Sequence, residues 1–125
     1  MKKIRICTYT ILMVFANSCT STMQDVSFTI KNTGSSNIFV EYIAIQNNDT
    51  INVQILPSES QIIWEETLAE RQKTNWYYDY KISINTITNQ VGDTINFNPN
   101  IASNWVLWIS SPHNNYNLYI EDSSF

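Results

Sequence analysis

Apolar residues recur at every second position along most of this chain, in short runs separated by turn-forming residues, and that period of two decides what it can fold into. In the clearest run, Trp76, Tyr78, Tyr80, Ile82 and Ile84 alternate with Tyr77, Asp79, Lys81, Ser83 and Asn85. A strand sends successive side chains to opposite faces, so such a run buries one face and wets the other. Val26, Phe28 and Ile30 alternate in the same way with Ser27, Thr29 and Lys31, and the polar stretch 32–37 ends them. Strands are also predicted over 38–46, 51–55 and 61–65, broken by Asn47-Asn48-Asp49 and by Pro57-Ser58-Glu59-Ser60, which makes the first four strands a meander. A short strand over 94–98 follows the Gly92-Asp93 turn. Trp105, Leu107 and Ile109, then Tyr116, Leu118 and Ile120, predict a terminal hairpin around the turn 111–115. The one helical candidate is 65–73, where Glu66 and Glu70 stand four apart beside Leu68 and Ala69.

Seven or eight short strands with turn signals about every 8 to 12 residues predict an all-β fold, an antiparallel β-sandwich that resembles immunoglobulin and fibronectin domains in architecture. A small closed β-barrel is the alternative. The Cys, Trp, Cys signature of true immunoglobulin domains is missing from this sequence.

The amino-terminal segment follows a different logic. Lys2, Lys3 and Arg5 precede an apolar run over 6–16, and small or polar residues lead on to Cys19. This is the pattern of an export signal, and the run is shorter than the roughly 20 apolar residues that span a bilayer. Ala16-Asn17-Ser18-Cys19 resembles the lipobox of bacterial lipoproteins, whose cysteine takes a diacylglycerol thioether and becomes the mature amino terminus. That family prefers Leu where this chain has Ala16 and a small residue where it has Asn17. Ala16 and Ser18 also satisfy the small-x-small rule of ordinary signal cleavage, which would release a soluble periplasmic or secreted product. The resemblance divides the chain into a signal peptide over 1–18, a tether over 19–24 carrying lipidated Cys19, and one domain over 25–125. Because Thr20 is not the Asp of inner-membrane retention, it also implies the outer membrane. The sparse acids over 20–25 favour the periplasmic leaflet, with the cell surface as the alternative.

Loss of residues 1–18 leaves Lys31, Arg71, Lys73 and Lys81 against eleven acids, so the net charge moves from −4 to −7. Such a surface repels nucleic acid and anionic head groups. With Cys7 in the signal and Cys19 as the anchor, the domain has no cysteine pair, and packing alone must hold it. Asparagine occurs sixteen times against two glycines, Gly34 and Gly92, so asparagines are expected in the left-handed turn positions that glycine usually takes.

Catalysis finds few candidates. His113 is the single histidine and falls in a turn, and the adjacent Glu65 and Glu66 would point to opposite faces of a strand rather than flank one bond. Asp93, Asn96, Asn98 and Asn100 could offer oxygen to calcium, but a turn entering a strand explains them as well, so no metal and no cofactor is expected. Asp49-Thr50-Ile51 and Asp93-Thr94-Ile95 repeat one tripeptide at turn–strand junctions. It resembles the O-glycosylation sequon of exported Bacteroidota proteins, which would make Thr50 and Thr94 acceptors. Among the aromatic residues, Trp76, Tyr78, Tyr80, Trp105 and Tyr116 lie on apolar faces, whereas Tyr77, Trp108 and Tyr119 lie on polar ones. If their strands are neighbours, these three form a flat outer surface suited to a sugar ring or a protein partner. The expectation is therefore a non-enzymatic envelope binding module for a glycan or an exported protein. The alternatives are a structural accessory subunit docked by a strand edge, or an inhibitor of a basic lytic enzyme.

Overall fold

The computed structural model describes residues 23–69, 81–110 and 113–125. Seven strands run through them: β1 (Met23–Asn32), β2 (Ile38–Ala44), β3 (Asp49–Ile55), β4 (Ser60–Ala69), β5 (Ile82–Asn89), β6 (Val106–Ser110) and β7 (His113–Ile120). They form a four-stranded sheet in the order β4-β1-β7-β6 and a three-stranded sheet in the order β3-β2-β5. Neither closes on itself, so the fold is a sandwich and not a barrel.

The alternation explains the core. Val26, Phe28 and Ile30 from β1 and Leu118 and Ile120 from β7 meet Ile38, Val40 and Tyr42 from β2 and Ile82, Ile84 and Ile87 from β5 in one buried cluster. Phe28 stacks on Tyr116 at 4.9 Å between ring centroids and meets the edge of Trp105 at 5.6 Å, which places both aromatic residues where their apolar faces predict. Ile84 and Ile87 both point inward although three residues apart, because a bulge opposite Glu41 and Tyr42 resets the face.

The connectivity is not a meander. Only β2 and β3 pair as consecutive members of the first four strands, while β1 runs antiparallel to β4 and parallel to β7. Segment 65–73 is also no helix as far as it is described: β4 continues to Ala69, held to β1 over nine paired positions. Tertiary pairing thus overrides the local helical spacing of the glutamates. Residues 94–98 contribute a single bridge, between Thr94 and Thr88, in place of the expected strand.

Side-chain amides hold the loops. Asn100 donates Nδ2 to the Ile84 carbonyl and accepts the Ile84 N–H, both at 2.9 Å, and so stands in for a neighbouring strand at the edge of β5. Asn98 accepts the Asn100 N–H and Asn96 donates to the Ser123 carbonyl, which is how the cluster considered for calcium spends its amides. Asn48 takes φ 56° at the β2–β3 turn, a left-handed position filled without glycine. Gly92, at φ 95°, is a position that glycine alone takes without strain. Buried Asn32 ends β1: its Nδ2 donates to the carbonyls of Ser36 and Ile55, and its Oδ1 accepts the Gly34 N–H.

Candidate functional site: the outer face of the four-stranded sheet

Strand register lays the outer side chains of the four-stranded sheet in rows across β4, β1, β7 and β6. The first row is Thr67, Asp25, His113 and Ser110; the second is Glu65, Ser27, Asn115 and Trp108. Ile62, Thr29, Asn117 and Val106 make the third, and Ser60, Lys31 and Tyr119 the fourth. A bulge after Phe28 brings Ile62 onto this face and sends its neighbour Ile63 into the core.

A groove of about 610 Å³ runs along the second to fourth rows. Its floor is Thr29 and Asn117, which are paired across β1 and β7 and both buried. Trp108 rises at one end with 61% of its surface exposed, and half-buried Tyr119 stands at the other. Asn115, the partner of Trp108, and Tyr119 stand four positions apart on β7. At roughly 3.3 Å per residue the two rings stand about 13 Å apart along the strand. The structure therefore brings Trp108 and Tyr119 to one surface; Tyr77 and Cys19 lie outside the described residues.

The first two rows form a second, contiguous depression of about 530 Å³ with a different character. His113 Nδ1 lies 2.9 Å from Asp25 Oδ2, and Thr67 Oγ1 donates to Asp25 Oδ1 at 2.9 Å. The sequence places His113 in a turn; the structure makes it the first residue of β7 and, through the parallel pairing, sets it beside Asp25. Nothing local in the sequence carries that pairing, because Asp25 and His113 come from opposite ends of the domain. Of the hydroxyls near the pair, Thr67 donates to Asp25 and Ser27 to Asn115 at 2.6 Å, while Ser110 is the register partner of His113.

Glu65 is exposed on this outer face and Glu66 turns inward, the opposition that adjacent strand positions impose. Glu66 Oε1 lies 3.4 Å from Lys81 Nζ, which also stands over the Trp64 ring at 5.6 Å from its centroid. Lys81 is thus buried, where the alternation of its run puts it on a wet face. Thr50 and Thr94 are exposed where β3 begins and where the 90–94 turn meets β5. At the far end of the molecule, Asp122 accepts the Ser35 N–H and hydroxyl, both at 2.8 Å, and these bonds hold its carboxyl below the ordinary aspartate range.

No family model, no curated protein and no solved structure matches this chain.

Proposed function

We propose that this chain is a non-enzymatic binding module of the bacterial envelope, tethered to a membrane through lipidated Cys19, that binds a glycan in the groove between Trp108 and Tyr119. The observation that carries the reading is the groove itself: an exposed indole and a phenol at its ends, over a floor and walls of hydroxyls and amides. Sugar rings present apolar C–H faces and a rim of hydroxyls, so flat aromatic surface together with Asn, Ser and Thr matches both halves of that chemistry. The spacing of the two rings exceeds one pyranose, which selects an oligosaccharide.

Trp108→Ala should abolish glycan binding by the full chain, followed by tryptophan fluorescence or calorimetry, while its unfolding midpoint stays put. A variant that unfolds instead would make Trp108 a packing residue and remove the basis of the reading.

One observation favours a second reading, docking of a protein partner by strand addition. Every residue of β6 is exposed, four of the five are large apolar residues, and the strand lies at the sheet edge with one row of backbone groups unpaired in the described sheet. A proline at position 107 or 109 should weaken docking of that kind and leave a groove ligand unaffected.

A further inference from the structure

We infer that the groove takes an acidic oligosaccharide, one built of uronic acid units. The inference rests on the glycan reading above and adds the charge of the ligand to it.

The described residues include nine aspartates and glutamates but only two lysines, Lys31 and Lys81. Lys81 is committed to the interior through Glu66 and the Trp64 ring. Lys31 stands in the groove, and no ion pair holds it among the described residues. None of the groove's lining residues is acidic, although Glu65 stands in its second row beside Ser27 and Asp25 one row beyond. Against an acidic background, the groove beside exposed Trp108 is thus lined by a cation and by no acid.

The position of the cation fits a carboxylated sugar. Lys31 is the register partner of Tyr119, with Ser60 on its other side. A ring stacked on Tyr119 would set its carboxylate beside the ammonium and its hydroxyls toward Ser60. Asn115 spends its Oδ1 on the Ser27 hydroxyl, which leaves its Nδ2 to donate. Asn117 spends its Nδ2 on the Asn115 carbonyl and leaves its Oδ1 to accept, so the groove offers donors and acceptors to sugar hydroxyls and the Lys31 ammonium to a carboxylate. A single ammonium also matches a carboxylate's one charge better than the dianion of a phosphate, for which a fork of several donors is the usual match.

The test uses the full chain and hexasaccharides of galacturonate, mannuronate and hyaluronan, each beside its carboxyl-reduced counterpart, in which a hydroxymethyl group replaces the carboxylate. At least one acidic hexasaccharide should bind, about two- to fivefold more tightly than its reduced form at low salt, the size expected of a partly exposed ion pair. Added salt should erase that preference. Lys31→Gln should bring the acidic ligand down to the affinity of the reduced one, Lys31→Arg should restore the difference, and Trp108→Ala should abolish both interactions. Equal affinity for acidic and reduced forms, or a preference that survives Lys31→Gln, overturns the inference and leaves the groove a glycan site. Absence of binding to every member of the panel, acidic or reduced, overturns the inference and the glycan reading together.

Discussion

Strands β5 and β6 look alike in sequence and fare oppositely in the fold. Both are short, rich in large apolar residues and placed at the edge of a sheet in the described residues. Yet Ile82, Ile84 and Ile87 of β5 are all but sealed from solvent, whereas Leu107 is 42% and Ile109 68% exposed on β6. Edge position is therefore not the cause. With strands about 4.8 Å apart, a four-stranded sheet is one strand wider than its three-stranded partner, so one strand overhangs. In the described residues burial marks β6 as that strand: its inward-facing Leu107 and Ile109 stay exposed, while β5 buries Ile82, Ile84 and Ile87. Alternation reports which residues share a face, and the other sheet decides whether that face is covered.

Paired truncations would break this comparison most directly. Ile87→Ala should cost about 2–5 kcal/mol in denaturant unfolding, because it opens a cavity where the side chain has no exposed surface. Ile109→Ala should stay within about 0.5 kcal/mol, since most of that side chain is already in water. Equal losses would mean that β6 is covered after all.

Burial can also be set against polarity. Asn32 is polar but only 1% exposed, and its amide answers two carbonyls and one N–H. Asn32→Ala strands those groups and should cost about 1–3 kcal/mol, more than removing the exposed apolar side chain of Ile109. The same unfolding series ranks the two, and the reverse order would show that side-chain polarity outweighs cover in this fold.

Alkaline titration sharpens the contrast from the covered side. Burial raises the phenol pKa of Tyr42 and Tyr116 above the ordinary value of 10.0, since a phenolate loses hydration inside the core. A raised folded pKa means that the unfolded chain releases these protons first. Stability is therefore complete below about pH 10 and declines as pH rises from there through the folded values. Unfolding midpoints measured across that range should fall, and Tyr42→Phe should soften the decline.

The comparison also marks what the sequence makes legible. The all-β class, the seven described strands and the faces of Trp105, Tyr116, Trp108 and Tyr119 follow from alternation, a property of neighbouring residues, whereas the choice of sandwich over barrel needs the pairing itself. What is missed is non-local. The spacing of Glu66 and Glu70 reads as a helix turn because the nine-position pairing with β1 lies outside any local window. Lys81 reads as a solvated residue because its partner Glu66 approaches from another strand, and His113 reads as a turn residue because Asp25 reaches it through a parallel pair. The groove is half legible: the aromatic residues signal it, while Lys31 acquires meaning only when the register sets it beside Tyr119. The asparagine excess is legible in kind, as turn chemistry, though Asn32 and Asn100 use it for buried and edge hydrogen bonds that no turn pattern specifies.

The smallest expected change in folding free energy carries the sharpest statement about β6. An uncovered apolar edge is a template for another strand, and natural sheets blunt such edges with charge, lysine above all. Strand β6 carries no charge. Ile109→Lys should shift the unfolding midpoint by little, because the ammonium replaces a side chain already in water. It should also raise the concentration at which the purified chain stays monomeric in light scattering. The matched change on the covered strand, Ile87→Lys, should unfold the domain, since a lone charge inside the core is too costly to keep. If Ile109→Lys also unfolds the chain, β6 is packed against something and the overhang disappears; if it leaves association unchanged, the edge is blocked by geometry and charge is not what it lacks.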